Sequence, residues 1–450
     1  MSYLDDATSR YNKLLENGAG RDLSWADELQ ERMEDEGLSE GGRLICPVLR
    51  PNFVSRRQYE NLVKTGEALI CAIDRMEQML LANPPLLARL ELLPAEKMLA
   101  SIDPGYQSFE VTARLDSHLC NGHLHFLQYS ADAPAGAGYA DALGDLFWDV
   151  PPMKETRKKF TLARVGGRKY LLQALLKAYK QFGGAKKPNI AIVEFRQPYH
   201  SGRSEYELFR DFFRKEGYAV ELVSPEQLEY RNRVLRKGSF EIDLVYRRLG
   251  VQEFLMRFDL GHPLVQAYRD RTVCVVNSFR SELAHKKAMF GLLTDETLVS
   301  KFPAAERKAI REHVPWTRLV AAAKTTYEDR TIDLPEFITQ NRDRLALKPN
   351  DDTSDLHTYR GWEMDDAGWE RALKQAMRAP YVVQERVEPV LSLFPLMTFG
   401  HLEFRQMQVD VHPHAYLGKV QGCSSWLSSG KTGFSSASGL APTFILDPKA

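Results

Sequence analysis

In the stretch Arg344-Leu-Ala-Leu-Lys348-Pro-Asn350, a short apolar run is followed by a lysine. Two runs of the same kind follow it, Tyr381-Val-Val-Gln384-Glu385-Arg-Val387 and Met407-Gln-Val-Asp410-Val411. Each is typical of a buried strand that carries a charged or amide side chain toward its end. We expect these side chains to meet at a common edge and to line a cleft. An ammonium, an amide and a carboxylate suit a phosphate, a base and a metal ion, so the pattern predicts a nucleotide site.

Composition indicates a globular chain with more than one lobe. The chain has 450 residues, of which 44% are hydrophobic and 27% are charged, and this length exceeds one ordinary core. Lysine and arginine together number 60, as do aspartate and glutamate, so the formal net charge is zero. A neutral chain has no overall field that attracts nucleic acid or an anionic membrane, and we expect neither as a partner.

The cysteines and the first residues predict a reduced, cytoplasmic environment. The cysteines lie far apart, without the paired spacing of a disulfide framework or a zinc site. They are Cys46, Cys71, Cys120, Cys274 and Cys423. The start, Met1-Ser-Tyr-Leu-Asp-Asp, carries acids where a secretory signal would carry basic residues. No apolar run approaches the roughly 20 residues that span a bilayer, so no membrane segment is expected.

The first part of the chain predicts a helical region followed by a hairpin. Its first forty residues are charged and helical in character. Ser55 is placed to cap a long helix that Asn83-Pro84-Pro85 ends. Strand character follows at 107–114 and 123–129, and Asn121-Gly122 between these runs is a hairpin signal.

The middle of the chain alternates between apolar strands and helices. A helix is predicted over 170–182, where Gly183-Gly184 ends it, and Ser204-Glu-Tyr-Glu207 is a capping box that opens another helix. Strands are predicted over 189–195, 218–223, 242–248 and 272–276. Repetition of strand and helix at this spacing predicts a parallel sheet with helices on its faces, which is the α/β class of fold.

We divide the chain into three segments. Residues 1–165 are expected to form a lobe of helices and a hairpin. Residues 166–340 are expected to form an α/β lobe with a helical extension. Residues 341–450 contain the three runs described first and are expected to form the nucleotide-binding lobe. The serine- and glycine-rich stretch 424–438 is predicted to form loops at the mouth of the cleft.

A series of motifs follows in order along the chain. The motifs are Arg114-Leu-Asp116, Tyr246-Arg247-Arg248, Asn277-Ser-Phe-Arg280, His285-Lys-Lys287, Leu347-Lys348-Pro-Asn-Asp351, Gln384-Glu385-Arg386 and Asp410. This series resembles the circularly permuted ATP-grasp proteins that are related to glutathionylspermidine synthase. The resemblance covers most of the chain and implies an ATP-grasp-like fold, in which residues 189–276 form a pre-ATP-grasp parallel-sheet lobe.

The resemblance implies ATP-dependent coupling of a carboxylate to an amine through an acyl-phosphate. The implied cofactors are ATP and Mg²⁺, and the implied partners are a small-molecule or peptide carboxylate and an amine substrate. ATP activates the carboxylate because phosphate becomes its leaving group, while lysines and a metal ion offset the charge on the transferring phosphoryl oxygens. Neither the identity of the substrates nor the oligomeric state follows from the sequence.

The resemblance also implies roles for the nucleotide-binding residues. Lys348 and Lys287 are implied to bind phosphate, and Asn350 belongs to the same motif as Lys348. Gln384 and Glu385 are implied to form the hinge that contacts the adenine and the ribose. Alternatively, each lysine is a solvated residue at the end of a strand or on a helix, and Gln384 with Glu385 is an ordinary exposed strand end.

Three further residues are implied to act on the metal ion and the substrate. Asp410 is implied to be a magnesium ligand, since hard oxygen ligands suit that ion. Arg247 and Arg280 are implied to be catalytic residues that grip an anionic substrate through bidentate contacts. Alternatively, Asp410 pairs with a basic residue, and the two arginines form surface or interdomain salt bridges.

The sequence departs from the pattern of this family at several positions. Residues 352–360 stand where a glycine-rich loop usually covers the phosphates, and glycine lets backbone N–H groups approach phosphate more closely than other residues do. Gln128-Tyr129-Ser130 stands where relatives often show Glu-Tyr-Asn, and Trp426 and Gly433 replace an arginine and a metal-binding asparagine. The alternative is therefore a catalytically reduced binding or scaffold protein with the ATP-grasp fold. A phosphotransferase using the same cleft is a third hypothesis.

Histidines cluster at two places in the sequence. His118, His123 and His125 surround the predicted hairpin, and His412 shares a strand face with Asp410. We expect exposed or core histidines here rather than a zinc site, because no further ligand is evident.

Overall fold

The structure is a computed structural model, and it describes residues 2–18, 23–40, 42–120, 123–195, 204–351, 357–398, 400–429 and 437–449. Its helices, in chain order, are α1 (Tyr3–Gly18), α2 (Ser24–Asp35), α3 (Arg56–Ala82), α4 (Pro84–Ala88), α5 (Pro94–Ser101), α6 (Ala137–Trp148), α7 (Pro151–Lys159), α8 (Arg168–Phe182), α9 (Glu205–Lys215), α10 (Val251–Arg257), α11 (Pro263–Arg269), α12 (Glu282–His285), α13 (Ala288–Leu293), α14 (Glu296–Val299), α15 (Ala304–His313), α16 (Leu334–Gln340) and α17 (Asp366–Ala376).

The strands, in chain order, are β1 (Ser39–Glu40), β2 (Arg43–Leu44), β3 (Asn52–Ser55), β4 (Thr112–Cys120), β5 (His123–Ser130), β6 (Phe160–Arg164), β7 (Ile190–Val193), β8 (Val220–Val223), β9 (Glu229–Arg231), β10 (Val234–Lys237), β11 (Phe240–Glu241), β12 (Leu244–Arg247), β13 (Cys274–Val276), β14 (Thr317–Leu319), β15 (Lys324–Tyr327), β16 (Arg330–Asp333), β17 (Leu345–Pro349), β18 (Tyr359–Arg360), β19 (Tyr381–Glu385), β20 (Leu391–Thr398), β21 (His401–Tyr416), β22 (Lys419–Ser428) and β23 (Ser438–Pro448).

The largest sheet combines strands from both ends of the chain. Its order is β3-β23-β22-β21-β4-β5, with β20 also paired to β21 and β6 also paired to β23. Strand β3 lies parallel to β23, where Asn52 is opposite Thr443. Strand β4 lies antiparallel to β21, where His118 is opposite Asp410. Most of its neighbouring strands are antiparallel, and one face is covered by helix α3.

The two faces of the large sheet differ in chemistry, because successive strand residues point to opposite sides. We call the face that carries Arg114, Asp116, His118, Asp410 and His412 the histidine face. The opposite, reverse face carries apolar residues of β21 and β4 and packs on α3. A side chain on Gly66 of α3 would lie 3.5 Å from Leu115 of β4, so helix and sheet are in close contact. As predicted, the Ser55 side chain forms a capping box with Gln58 at the start of α3.

The second sheet is parallel, as the alternating pattern predicted. Its order is β13-β12-β7-β8, and every neighbouring pair in it is parallel. Helices α8 and α9 cover one face, where they pack against Ile190 and Ile192. Helices α10 and α11 cover the other face, where they pack against Ala191 and Val193. Apolar side chains on both faces explain why these strands are continuous apolar runs.

The third sheet carries the apolar runs that contain Lys348 and Gln384. Its order is β14-β19-β17-β18, and its neighbouring strands are antiparallel. Helices α16 and α17 pack on it, with Trp369 of α17 fully buried against Leu345 and Leu347. The third run lies elsewhere, because Asp410 is in the middle of β21 in the large sheet rather than at a strand end.

Several local predictions are confirmed, and two are wrong. Helix α8 ends at Gly183 with a positive φ of 108°, and the Ser204 capping box opens α9. The loop prediction is wrong for 424–428, which lie in β22, and strand β4 begins at Thr112 rather than at 107. The serines of β22 are stabilised by hydrogen bonds across strands, which composition does not reveal. The predicted turn Asn121-Gly122 lies outside the described residues, as do 430–436 of the predicted loops.

The sheets do not follow the order of the three sequence segments. Strands from 1–165 and from 341–450 share the large sheet, and β14 from 166–340 belongs to the third sheet. In the part of the chain that is described, no helix is both long enough and apolar enough to cross a lipid bilayer.

Candidate functional site

The end of β17 contacts the turn between α12 and α13. The backbone N–H of Lys287 donates to the Asn350 carbonyl at 2.9 Å, and the Ala288 N–H donates to the Asn350 Oδ1 at 2.8 Å. The Asn350 amide donates in turn to the Leu90 carbonyl at 2.9 Å, and the residue is only 2% exposed. The structure therefore joins two motifs that lie more than 60 residues apart. We call Lys286, Lys287, Lys348, Asn350 and Gln384 the β17 junction.

Lys286 lies at the centre of three carboxylates in this junction. Its ammonium is 3.0 Å from Glu96, 2.7 Å from Glu282 and 2.7 Å from Asp351. Burial opposes the charged ammonium, yet the three acids raise the pKa of Lys286 above its ordinary value. Burial, and then the charge of Asp351, raises the pKa of Glu282 well above its ordinary value. The carboxylates are close enough together to hold a metal ion, but the ammonium already supplies the cation.

Lys348 contacts Gln384 on the neighbouring strand β19. Its ammonium donates to the Gln384 Oε1 at 2.7 Å. The Gln384 amide donates to the Thr317 hydroxyl at 3.1 Å and to the Leu127 carbonyl at 3.2 Å. Leu127 belongs to β5, so Gln384 joins the third sheet to the large sheet. Gln384 is only 3% exposed, so its side chain is a buried connection between two sheets rather than an open strand end.

Glu385 lies at the outer end of the same strand. Its Oε1 accepts a hydrogen bond from the Tyr327 hydroxyl at 2.9 Å and one from Arg344 at 3.0 Å. Burial and the neighbouring Glu385 raise the pKa of Tyr327 to about 12. The Glu385 carboxylate is thereby oriented beside the exposed guanidinium of Arg344.

Asp410 lies in the large sheet and contacts nitrogen donors. Its carboxylate is in direct contact with His118 Nδ1, and both of its oxygens lie 3.1 Å from the Gln408 amide nitrogen. Trp426 is opposite Asp410 on the neighbouring strand and is 41% exposed. Magnesium takes several oxygen ligands in octahedral geometry. One carboxylate held by an imidazole and an amide nitrogen does not fit that ion.

A second carboxylate of the histidine face is held in a similar way. Asp116 accepts hydrogen bonds from Arg114 at 2.6 and 3.0 Å, and a 2.8 Å hydrogen bond joins it to His412 Nδ1. Although burial favours the neutral acid, the charges of Arg114 and His412 lower the pKa of Asp116 below its ordinary value. Sequence reasoning missed this cluster as a site. The alternate spacing of Arg114 and Asp116, which puts both on one strand face, was the available signal.

The loop before α6 connects the histidine face to the parallel sheet. Glu205 Oε1 accepts the backbone N–H groups of Gly136 at 2.8 Å and of Gly138 at 2.7 Å. The other carboxylate oxygen lies 3.4 Å from the buried guanidinium of Arg248. Beside this loop, His414 Nε2 and the Ser424 hydroxyl are 3.0 Å apart, and burial lowers the pKa of His414 to about 3. His414 is therefore neutral and packed at this position.

The two arginines of the implied substrate site hold backbone carbonyls in this structure. Arg247 is fully buried and is paired with Asp132 at 2.5 Å, and it also donates to the Leu249 carbonyl at 2.6 Å. Arg280 donates to the carbonyls of Ala100 and Ile102, each at 3.1 Å. Both guanidinium groups connect the parallel sheet region to other elements.

Two cavities of the described part of the chain lie away from the β17 junction. One of about 590 Å³ is lined by α1, β3 and β20 and by Val409 and Val411 of the reverse face. A second of about 480 Å³ is formed by basic and polar residues at the end of α17. Neither lining includes Lys348, Gln384 or Asp410.

The comparisons with known proteins concern the fold. No family model and no curated protein matches the chain. A glutathione synthetase-like effector from Globodera pallida, solved in its apo form, matches with a TM-score of 0.56 at 14% identity, over 94% of this chain and 96% of the effector. A candidate γ-glutamylcysteine synthetase from Methylobacillus flagellatus matches with a TM-score of 0.42 at 9% identity, over 85% and 86% of the two chains.

A RimK domain ATP-grasp protein from Sphaerobacter thermophilus matches with a TM-score of 0.29 at 14% identity, over 56% of this chain and 90% of that protein. The two lower TM-scores are too low to indicate a shared fold. The first match extends over nearly the whole of both chains. The chain therefore has the overall fold of the glutathione synthetase-like effector.

Proposed function

We propose that the chain is a circularly permuted ATP-grasp protein, similar to glutathionylspermidine synthase, that couples a carboxylate to an amine with ATP as co-substrate. The β17 junction is the observation that carries this proposal. It brings the Lys287 and Asn350 motifs into hydrogen-bonding contact, and it brings Lys348 against the buried Gln384. The shared fold with a glutathione synthetase-like effector supports the same assignment.

In this proposal, the residues of the β17 junction hold the nucleotide. Lys348 and Lys287 contact its phosphates, and the charge of each ammonium offsets the negative charge of the phosphate oxygens. Gln384 and Glu385 lie beside the adenine and the ribose. Lys348 would exchange its bond to Gln384 for a phosphate oxygen, and Gln384 keeps its contacts with Thr317 and β5.

The proposed reaction has two steps. An oxygen of the substrate carboxylate attacks the γ-phosphorus, the bond from that phosphorus to the bridging oxygen breaks, and ADP leaves with the electron pair. The substrate amine then attacks the carbonyl carbon of the acyl-phosphate, inorganic phosphate leaves, and the nitrogen loses a proton. Because the donors at Asp410 do not fit magnesium, no step is assigned to a metal ion held by the protein.

Arg247 and Arg280 are proposed to bind the substrate carboxylate. In the structure, their guanidinium groups are bonded to Asp132 and to backbone carbonyls. Substrate binding would therefore exchange these contacts for bidentate bonds to the carboxylate.

The proposal is tested by calorimetry of the full chain with millimolar ATP and magnesium. We expect saturable binding, and we expect Lys348→Met to weaken it at least tenfold because one phosphate contact is lost. Lys374→Met removes an exposed lysine of α17 that pairs with Glu370 and is the matched control. No heat of binding, or equal affinity in Lys348→Met, would contradict the proposal. Release of ADP that one carboxylate and amine pair accelerates would identify the substrates.

The second candidate is a binding or scaffold protein that keeps this fold without catalysis. The pairing of Asp116 and Asp410 with Arg114, His412 and His118 favours it, because these carboxylates already have partners within the protein. It predicts nucleotide binding without ADP release for any pair of substrates. Turnover that Lys348→Met abolishes would reject this candidate.

A further inference from the structure

Three carboxylates meet on the reverse face of the large sheet, away from the histidine face. Asp74 and Glu77 are one turn apart on α3, and Glu110 lies just before β4. Each offers one oxygen, and these oxygens all lie within 4.8 Å of one another. Glu77 is fully buried and Glu110 is 5% exposed, while Asp74 is partly exposed. The cluster is thus closed on the protein side and accessible at Asp74.

This acidic cluster differs from the cluster around Lys286. In that cluster an ammonium contacts all three carboxylates. Here both oxygens of Glu77 and both oxygens of Glu110 lack a hydrogen-bond partner of normal geometry among the described residues. Burial, and then the neighbouring acids, raises the pKa of Glu77 well above its ordinary value. Buried carboxylates are unfavourable as charged groups, so either protons or a bound cation must offset their charge.

Two arginines near the cluster do not supply a cation by contact. Arg280 lowers the pKa of Glu77, but by less than burial and the neighbouring acids Glu110 and Asp74 raise it. Its guanidinium donates to the carbonyls of Ala100 and Ile102 instead. Arg75, next to Asp74 in sequence, points to Glu306 and forms a bidentate pair with it.

Tyr129 of β5 is an independent indication of a ligand. Tyr129 is 2% exposed, and its hydroxyl has no hydrogen-bond partner of normal geometry in the described chain. After the larger effect of burial, the charges of Glu110, Asp74 and Glu77 raise the pKa of Tyr129, and the contact of its hydroxyl with Glu110 raises it further. Ser130, the next residue, contacts Asp116 on the histidine face. Tyr129 therefore points to the reverse face, toward the acidic cluster.

We propose that Asp74, Glu77 and Glu110, together with the Tyr129 hydroxyl, bind one divalent cation of the oxygen-preferring class. Carboxylate and hydroxyl oxygens are the ligands that magnesium, calcium and manganese prefer. A separation of 4.8 Å or less lets all three acids reach one ion. The ion would replace protons as the positive charge that the buried acids require.

The proposed ion has a structural consequence. It joins α3, through Asp74 and Glu77, to the start of β4, through Glu110. Strand β4 carries Arg114 and Asp116 on its other face. The cation would therefore anchor the base of the histidine face, and this role does not depend on the proposed ligase activity.

The first test titrates Mn²⁺ into the metal-free full chain without nucleotide and follows binding by calorimetry and thermal unfolding. We expect one equivalent to bind and to raise the melting temperature. Glu110→Gln should weaken binding at least tenfold. Glu306→Gln is the matched control, since this acid lies beside the cluster but pairs with Arg75, and it should bind Mn²⁺ as the unaltered chain does. No binding, or equal affinity in Glu110→Gln, overturns the proposal.

The second test uses Tb³⁺, whose luminescence is sensitised by a nearby phenol. We expect tyrosine-excited Tb³⁺ emission that Ca²⁺ or Mn²⁺ displaces. Tyr129→Phe should lower the emission at unchanged stoichiometry, which a tyrosine distant from the ion would not do. Unchanged emission in Tyr129→Phe overturns the proposed position of the Tyr129 phenol beside the ion. This test needs no carboxylate variant, so it remains decisive if Glu110→Gln fails to fold.

Discussion

The Lys286 ammonium lies 2.7 Å from Asp351 Oδ2 and joins the end of β17 to the turn after α12. The same ammonium contacts Glu96 of α5 and Glu282 of α12. One buried cation thus connects three parts of the chain at the base of the β17 junction. A buried charge with several partners is strongly destabilising to break, because the remaining carboxylates lose their compensation.

Replacement of this lysine tests the connection. Lys286→Met should lower the free energy of unfolding by about 3–5 kcal/mol, since it leaves uncompensated carboxylates in the interior. Denaturant unfolding measures the effect. Lys374→Met, on the exposed surface of α17, should leave stability unchanged. A loss for Lys286→Met no larger than that for Lys374→Met would show that the carboxylates are neutral without the lysine.

The contact between Lys348 and Gln384 predicts a change in nucleotide affinity. Gln384→Glu introduces a carboxylate 2.7 Å from the ammonium, which would hold Lys348 as an ion pair and compete with phosphate. We expect about a tenfold loss of ATP affinity in calorimetry, the size of roughly one charge-assisted hydrogen bond. Gln375→Glu on the outer end of α17 is the control and should bind ATP normally. Tighter binding in Gln384→Glu would exclude a phosphate role for Lys348.

Because Glu194 is partly buried, we expect the free energy of unfolding to depend on pH. Burial raises the pKa of Glu194 to about 7 from its ordinary value of 4.5. Because the folded pKa is raised, the neutral acid favours folding below about pH 4.5, and this contribution is lost as pH rises toward 7. Glu194→Gln stays neutral, so it should be more stable than the unaltered chain by about 3 kcal/mol at pH 8 and nearly equal at pH 4.5.

Denaturant unfolding at these two pH values measures the difference. Glu226→Gln replaces an exposed acid and should show no such change between the two conditions. An equal effect of Glu194→Gln at both pH values would place the titration of Glu194 in its ordinary range.

Replacement of glycine by alanine should have opposite effects at two positions of α6. A Cβ at Gly138 would lie 2.8 Å from Glu205 Cγ and 3.2 Å from Phe209, so Gly138→Ala should destabilise the fold by about 1–3 kcal/mol. A Cβ at Gly144 meets no atom of the described residues within 4 Å, and Gly144→Ala should stabilise by about 0.5–1 kcal/mol because alanine favours the helix. Thermal unfolding of both variants tests this, and equal shifts would refute the close packing of Gly138 on Glu205.

The parts of the fold that the sequence predicts are those in which local pattern and tertiary contact agree. The apolar strands of the parallel sheet and the capped helix α3 are of this kind. Strand β22 was predicted as loop because serine and glycine disfavour strands. In the structure, Ser425 bonds to Asn52 and Thr443 on neighbouring strands, and these contacts override the local preference.

In the candidate site, too, some contacts follow from the sequence and others do not. Lys348 and Gln384 come together because β17 and β19 are adjacent antiparallel strands, and the backbone N–H of Lys287 donates to the Asn350 carbonyl. The surroundings of Asp410 could not be foreseen. Its partner His118 lies on β4, and the neighbouring pair His412 and Asp116 is 296 residues apart. One sequence does not reveal the register between strands so distant along the chain.

The pairing of β3 with β23 has a consequence for synthesis on the ribosome. Strand β3, which contains Asn52, cannot pair with β23 until Thr443 has left the ribosome. In the same way, β4 cannot pair with β21 until β21 has been translated. Helix α3 is thus translated long before the sheet surface it covers exists, and its apolar stripe stays without a permanent partner during elongation. Chaperone dependence of the nascent chain, ending only after the last strand is released, would follow from this topology.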